Sequence, residues 1–338
     1  MTQVLTRPPR FAFDEDRLRR ATPFALRPTS LHGVFTGPAL RHGFEPDTAS
    51  PADLVRAGLL WRRPDAGASP GQQAAWKQVT SRHWRPEDRI VPEFAVQEGK
   101  THILRRAPRR QADASYLTNA WAGAGIKTGR WTGVIGFWHI PTVSRPAEPQ
   151  GNEGGWKSSS WIGLDGFFVS NDVLQAGVQQ HVNAQGQASY VAWYEWYAPP
   201  QANSPGYVWQ TNITNFPVSP GQQVYCSVQY ASGNTSGYLY FDNETTGQHF
   251  SITLAPPPGA GFNGSSVEWI MEAPDGGEPT SALPKFTPVT FTSALACGTA
   301  NTSGNPQTGD VINIETAAGK VLTRTTVGPD AATVGFIG

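Results

Sequence analysis

The sequence predicts an all-β protein, an antiparallel β-sandwich of two packed, curved sheets, preceded by a mostly irregular N-terminal segment with short helices. Composition is the first indication, because 36 Gly, 29 Pro and 15% charged residues in a chain of 338 are typical of a turn-rich β protein. The second is a change of pattern at Tyr116, after which short alternating runs of apolar and polar residues are separated by turn signals. Many short strands at this spacing favour a sandwich or a barrel.

The predicted strands follow from this alternation. The clearest one begins at Trp131 and ends at Ile140, because Pro141 cannot continue it. Residues 242–247 are predicted to form a hairpin turn. Further strands are predicted at residues 189–197, 222–230, 237–241, 250–254, 267–271, 289–292, 311–315 and 321–325.

The N-terminal segment, residues 1–112, differs from the β-sandwich domain predicted for residues 113–338. Residues 1–49 carry seven arginines without sustained periodicity, so we expect an extended or loosely packed arm. Ser50 and Ser69 each precede a proline and are expected to cap short helices. Residues 105–110 are rich in arginine and form either a protease-sensitive junction or a solvated basic linker.

Charge separates the same two parts. Residues 1–110 contain 19 Lys+Arg and 11 Asp+Glu, which leaves 7 basic and 15 acidic residues for the rest, so the net charges are +8 and −8. Such asymmetry suggests that the two parts face each other, as a propeptide faces its enzyme. A basic tail that binds nothing in particular is the other reading.

Two strand segments carry polar residues where packing alone would favour apolar ones. Residues 161–177 read WIGLDG and, after a connection, DVLQAG, which places Gln175 between strongly apolar neighbours. Residues 267–272 read VEWIME, so that Glu268, Ile270 and Glu272 share one face of the strand. We therefore take Gln175 and Glu272 as the chemical pair.

The order of the motifs WIGLDG, VLQAG, AWYEWY (residues 192–197) and EWIME resembles that of the glutamic peptidases, the eqolisin or G1 family of acid endopeptidases. The resemblance covers roughly residues 116–338, and the chain is identified as a bacterial-type member. It implies a concanavalin-like sandwich and a catalytic dyad of Gln175 and Glu272. Substrate-binding positions implied by the same motifs are Trp121, Trp161, Asp165, Trp193 and Glu195.

The predicted function is acid endopeptidase activity by direct attack of water on the peptide bond. A glutamate with the reference pKa of about 4.3 is ionised in mildly acidic solution, so Glu272 can act as general base and then as general acid. The neutral amide of Gln175 can donate a hydrogen bond to the oxyanion. The alternative is that both residues have only structural roles, with the Gln175 amide hydrogen-bonded within a sheet and Glu272 exposed to solvent at a strand end.

The main rival function is a non-catalytic, lectin-like binding module, or an inactive relative of the peptidases, because an aromatic groove suits either role. No cofactor or metal is expected, since the zinc motif His-Glu-x-x-His is absent and the seven histidines are scattered. His139, His181 and His249 are expected at the surface or in packing.

The expected partners are polypeptide substrates, and the chain is expected to act as a monomer without nucleic acid or membrane. Secretion is implied by the family resemblance, although no signal peptide is visible. Cys226 and Cys297 allow either one disulfide or two free thiols.

Overall fold

The computed structural model describes residues 11–38, 43–57, 59, 63–64, 67–81, 86–104, 106–147, 154–167, 172–200, 208–231, 233–274, 283–299 and 302–338. Its helices are α1 (Glu15–Ala21), α2 (Pro51–Arg56) and α3 (Pro70–Thr80), with 3₁₀ turns at Pro86–Asp88 and Pro306–Thr308. Its strands, in chain order, are β1 (Arg27–Pro28), β2 (Val34–Thr36), β3 (Phe94–Val96), β4 (Arg109–Arg110), β5 (Tyr116–Thr118), β6 (Trp121–Ile126), β7 (Trp131–His139), β8 (Val143–Ser144), β9 (Trp156–Leu164), β10 (Val173–Val182), β11 (Ala188–Tyr197), β12 (Val208–Ile213), β13 (Gln223–Tyr230), β14 (Gly237–Asn243), β15 (His249–Leu254), β16 (Val267–Glu272), β17 (Lys285–Phe286), β18 (Val289–Gly298), β19 (Ser303–Gly304), β20 (Asp310–Ile314), β21 (Thr323–Val327) and β22 (Ala332–Phe336).

Two ten-stranded sheets pack face to face, which confirms the predicted β-sandwich. The first follows the order β1-β2-β15-β14-β13-β7-β18-β22-β21, with β19 beside β18. The second follows the order β3-β12-β11-β10-β9-β16-β6-β20-β5-β4. Among the described strands, pairing is antiparallel except between β20 and β5, and β17 with β8 forms a separate two-stranded sheet.

Alternation along the strands builds the core between the sheets. Leu174 and Ala176 of β10 point into it together with Trp269 and Met271 of β16. Buried indoles complete their hydrogen bonds there, since Trp269 Nε1 donates to the carbonyl oxygen of Ile135 at 2.9 Å. The residues between these apolar positions, including Gln175 and Glu272, therefore point to the opposite face of the second sheet, which we call the site face.

The predicted elements of the domain are confirmed with small shifts of their ends, and β18 runs further than expected, to Gly298. Both predicted N-terminal helices are present, and Ser69 caps α3 through a full capping box with Gln72. Cys226 and Cys297 are free thiols.

The expectation of a loosely packed arm is wrong for the described part of residues 1–49, because strand β2 pairs with β15 at the edge of the first sheet. Leu18 and Leu26 pack in a small apolar cluster with Phe35 and Ala255. Propensity alone missed this because β1 and β2 have only two and three residues, too few to show an alternating pattern.

Apolar packing also seats the two later helices on the domain. Leu54, Ala75, Trp76 and Val79 join a buried cluster with aromatic and aliphatic side chains of the first sheet. Short helices gain stability from such a partner surface rather than from their own hydrogen bonds. An ion pair between the N-terminal segment and the domain joins Arg109 to Glu315 at 2.6 Å. The arginine is mostly exposed, so the pair contributes little to stability.

Residues 94–110 reach both edges of the second sheet. β3 pairs with β12 at one edge, and β4 pairs with β5 at the other. Backbone hydrogen bonds continue the first pairing, from Gln97 N to Gln210 O and from Gln210 N to Lys100 O. The part of the chain between these strands, which we call the cleft segment (residues 101–104), leaves the edge at this point and enters the site face.

None of the helices in the described part of the chain has the length and apolar character needed to cross a bilayer.

Candidate active site

The site is built around one residue of the N-terminal segment, His102, which is almost completely buried. Its carbonyl oxygen accepts a hydrogen bond from Nε2 of Gln175 at 2.8 Å. Its Nδ1 lies 2.7 Å from Oε2 of Glu272. The structure therefore brings the predicted pair to one residue, and this residue presents a peptide carbonyl to Gln175.

Further contacts hold His102 on all sides. Its backbone N–H donates to Oε2 of Glu195 at 2.7 Å. Its ring stacks on Trp193 with centroids 3.7 Å apart and an angle of 8° between the planes. Its Nε2 lies 3.0 Å from Oε1 of Gln210, whose amide orientation is fixed because its Nε2 donates to Asn212.

Both ring nitrogens of His102 thus face acceptor oxygens, an arrangement that suits an imidazolium with two N–H donors. Burial by itself lowers the pKa of His102, but the Glu272 carboxylate opposes this effect and the pKa is raised. The pair is then a buried ion pair whose members neutralise each other.

Glu272 is held at the end of β16 and is fully buried. Trp161 Nε1 donates to Oε2 of Glu272 at 2.7 Å, beside the contact with His102. Its other oxygen, Oε1, has no hydrogen-bond partner among the described residues. The protein therefore orients this carboxylate through Oε2, the oxygen that both Trp161 and His102 contact.

Gln175 and Glu195 are direct cross-strand partners on β10 and β11. Gln175 Nε2 also donates to Oε2 of Glu195, at 3.1 Å. Burial raises the pKa of Glu195 to about 8, so this side chain is a neutral acid at acid pH. The Oε1 atoms of both residues are buried without a partner in the described part of the chain.

The three predicted cleft tryptophans line the same face. Trp121 meets Trp161 edge to face with centroids 4.8 Å apart, and Trp193 donates from Nε1 to Ser159 Oγ at 2.8 Å. Close approach of Trp161 requires glycine at position 177, because a Cβ there would lie 2.4 Å from the Cβ of Trp161.

Asp165 has a different position. It follows β9 with a φ of 68°, which interrupts the alternation that predicted its direction. Its carboxylate accepts hydrogen bonds from Tyr230, Gly264 and Ser265 at 2.6–2.9 Å. These contacts anchor the loop before β16, so Asp165 supports the site from outside the group around His102.

Glu268 lies on the site face as predicted, opposite Gly125 of β6 and Gly163 of β9. It is fully buried, and burial raises its pKa well above the usual value. Burial therefore disfavours the charged form of Glu268.

Sequence reasoning missed His102, Gln210 and Ser159. The histidines singled out from the sequence lie elsewhere, His181 near the carbonyl oxygen of Gly154 and His249 stacked on Tyr240. Within the residues that the structure describes, no three His, Cys, Asp or Glu side chains converge so as to hold a metal ion.

Comparison with known proteins gives the family. A profile described as the Peptidase A4 family matches residues 119–336. The chain belongs to this family. The prediction of a glutamic peptidase, made from four ordered motifs, is thereby confirmed, and the protein is a peptidase of the eqolisin or G1 family.

Two curated relatives and one solved structure illustrate the similarity. The chain is 33% identical to Aspergillopepsin-2 of Aspergillus niger over 235 residues, 66% of this chain and 78% of that protein. It is 27% identical to Scytalidopepsin B of Scytalidium lignicola over 180 residues, 53% of this chain and 61% of that protein. A structure of scytalido-glutamic peptidase with a transition state analog inhibitor superposes with a TM-score of 0.52 at 21% identity, covering 64% of this chain and 98% of the other. This last likeness concerns the fold. The family profile begins at residue 119, after the N-terminal segment.

Proposed function

We propose that this peptidase hydrolyses polypeptides at acid pH with Glu272 as general base and acid and Gln175 as oxyanion donor. The observation that supports this proposal is the backbone carbonyl of His102, which accepts the Gln175 amide at 2.8 Å beside the buried Glu272. A substrate carbonyl bound in the same way would receive the same hydrogen bond. The carboxylate of Glu272 is the acceptor for the proton of the attacking water, which would stand where His102 Nδ1 now contacts Oε2.

The reaction then needs two proton transfers. Glu272 takes a proton from water while the oxygen attacks the carbonyl carbon, and the negative charge that develops on the carbonyl oxygen is stabilised by Gln175 Nε2–H. The protonated Glu272 returns the proton to the amine nitrogen as the C–N bond breaks. One water is consumed, and no covalent bond forms between the substrate and the enzyme.

Glu195 completes the proposal as a positioning residue. A proton on its Oε1 would donate to Oε1 of Gln175 while its Oε2 accepts from Gln175 Nε2, a cyclic pair of acid and amide that satisfies both orphan oxygens. This pair fixes which end of the Gln175 amide carries the N–H groups. The remaining N–H then points to the substrate carbonyl.

Residues 1–112 are proposed to act as a propeptide, since the cleft segment covers the site face at its centre. The larger contact between residues 1–112 and the domain is apolar. The attraction between the opposite net charges of the two parts therefore adds to a contact that apolar packing already stabilises. Action outside the cell, implied by the family resemblance, belongs to the same proposal and is tested by assaying culture medium.

The test of the dyad uses the full chain at about pH 4 with a denatured protein as substrate. Glu272→Gln should lower kcat by roughly 100- to 10,000-fold, and Gln175→Ala by roughly 100- to 1,000-fold. The exposed Glu93→Gln and Gln185→Ala serve as matched controls and should leave activity unchanged. Full activity in either dyad variant would exclude this mechanism, and a wild-type chain that stays inactive even after its N-terminal segment is removed would favour the non-catalytic alternative.

A further inference from the structure

The cleft segment is bound in the manner of a substrate. Its backbone makes the contacts that a peptide substrate needs, because the carbonyl of His102 accepts from Gln175 and the N–H of His102 donates to Glu195. The peptide bond that Gln175 polarises is therefore the one between His102 and Ile103. Leu104 continues the segment and packs against the buried aromatic cluster of the site face.

The side chain of His102 stands where hydrolysis would begin. Its Nδ1 lies 2.7 Å from Glu272, and within the residue only Cα, Cβ and Cγ separate this nitrogen from the carbonyl carbon. A water activated by Glu272 must occupy nearly the same position, within hydrogen-bond distance of the carboxylate and close to that carbon. The ring is also locked in place, since it stacks on Trp193 and its Nε2 contacts Gln210.

We propose that the chain carries residues 101–104 as a substrate in its own site, and that the His102 side chain keeps the bond to Ile103 intact by occupying the place of the attacking water. This inference rests on the proposed function of Gln175 and Glu272. It makes His102 an inhibitory residue through its side chain and a substrate residue through its backbone. Removing the side chain converts the inhibitor into a substrate.

The reaction expected in such a variant is ordinary hydrolysis. Water adds to the carbonyl carbon of residue 102, the bond to the nitrogen of Ile103 breaks, and Glu272 carries the proton from water to that nitrogen. The products are a carboxyl group at residue 102 and an amine at Ile103, so that no further reactant is needed.

The test compares full-length wild type with His102→Ala and His102→Ser at about pH 4, followed by intact mass and N-terminal sequencing. Both small variants should be cut between residues 102 and 103, with a rate independent of protein concentration because the bond is already bound in the site. Wild type should stay intact at this bond over the same period. His102→Ala combined with Glu272→Gln should also stay intact, which identifies the chain's own site as the agent.

His102→Phe tests whether the His102 ring protects the bond by displacing water or by its hydrogen bond to Glu272. Its ring can still stack on Trp193 and exclude water, although it cannot donate to Glu272, so we expect at least a tenfold slower cut than in His102→Ala. Equal cutting of the Phe and Ala variants would overturn the displacement argument.

Two further outcomes distinguish this inference from the proposed function. If His102→Ala hydrolyses an added protein while its own bond stays intact, the substrate-like binding is wrong and the peptidase mechanism stands. If folded His102→Ala and His102→Ser, checked by thermal unfolding, are neither cut nor active, both proposals fail.

Discussion

Replacing Glu195 by glutamine tests whether this residue works as a neutral acid. A glutamine has nearly the same shape, and its NH₂ group can donate to Oε1 of Gln175 just as a protonated carboxyl would. Its carbonyl oxygen can still accept from Gln175 and from the N–H of His102, the contacts made now at 3.1 and 2.7 Å. We therefore expect Glu195→Gln to fold and to keep activity at acid pH within about tenfold of wild type.

Glu195→Ala should behave differently, because it removes the groups that orient the Gln175 amide. If the amide turns, the oxyanion loses its donor, and kcat should fall by up to roughly 100- to 1,000-fold. The two variants are assayed side by side on a denatured protein at acid pH. Together they show whether Glu195 acts by orienting the Gln175 amide or through its own charge.

The pH dependence of stability gives a second measure. Glu195 has a pKa of about 8 in the folded chain against an ordinary value of 4.5. Because the folded value is the higher one, its contribution is complete below about pH 4.5 and is lost as the pH rises through about 8. The full difference corresponds to at most about 5 kcal/mol in the free energy of unfolding.

Urea unfolding between about pH 4 and pH 9 should therefore show a smaller loss of stability in Glu195→Gln than in wild type. His102, whose pKa is also raised, adds a loss of stability above its ordinary value of 6.5. This loss is smaller in Glu195→Gln, because the Glu195 carboxylate is one of the groups that raise the pKa of His102, so it changes the comparison in the same direction. An inactive Glu195→Gln would show that Glu195 works as a carboxylate. If the free energy of unfolding depends equally on pH in the two proteins, the proposal that Glu195 is a neutral acid is refuted.

Two other predictions concern the neighbours of Glu272 and the N-terminal segment. Trp161→Phe keeps the ring beside Trp121 but removes the N–H donated to Glu272 at 2.7 Å, so kcat should fall roughly 10- to 100-fold. The control is Trp138→Phe, which loses a hydrogen bond to the neutral Ser160 in the core between the sheets. Equal effects of the two substitutions on kcat would contradict the special role of the bond to Glu272. Incubation of the full chain at about pH 4 should trim it near residues 105–110 and raise its activity, because carboxylates lose their charge while arginines keep theirs. Mass spectrometry follows the trimming, and a chain that is never trimmed at any pH would leave residues 1–112 without a propeptide role.

Much of the domain could be predicted because strand alternation is a local signal. Successive side chains of a strand point to opposite faces of the sheet. This alternation predicts that Trp269 and Met271 share one face of β16, and that Glu268, Ile270 and Glu272 share the other. The structure confirms both sets. The capping box of α3 is equally local.

His102 could not be predicted, because its role depends on residues 73–170 positions away in the sequence. A single histidine in the stretch Thr-His-Ile-Leu has no periodic or spacing signal. The short strands β3 and β4 were missed for a related reason, since their pairing is decided by the free edges of β12 and β5 rather than by their own sequence.

Those edge pairings bear on the solution behaviour of a chain that lacks the N-terminal segment. In the full chain, β2 covers β15, β3 covers β12 and β4 covers β5. Loss of residues 1–112 would leave each of these three strands with a row of unpaired N–H and C=O groups, the feature through which sheets join edge to edge and aggregate. We therefore expect a chain without its N-terminal segment to aggregate more readily than the intact chain.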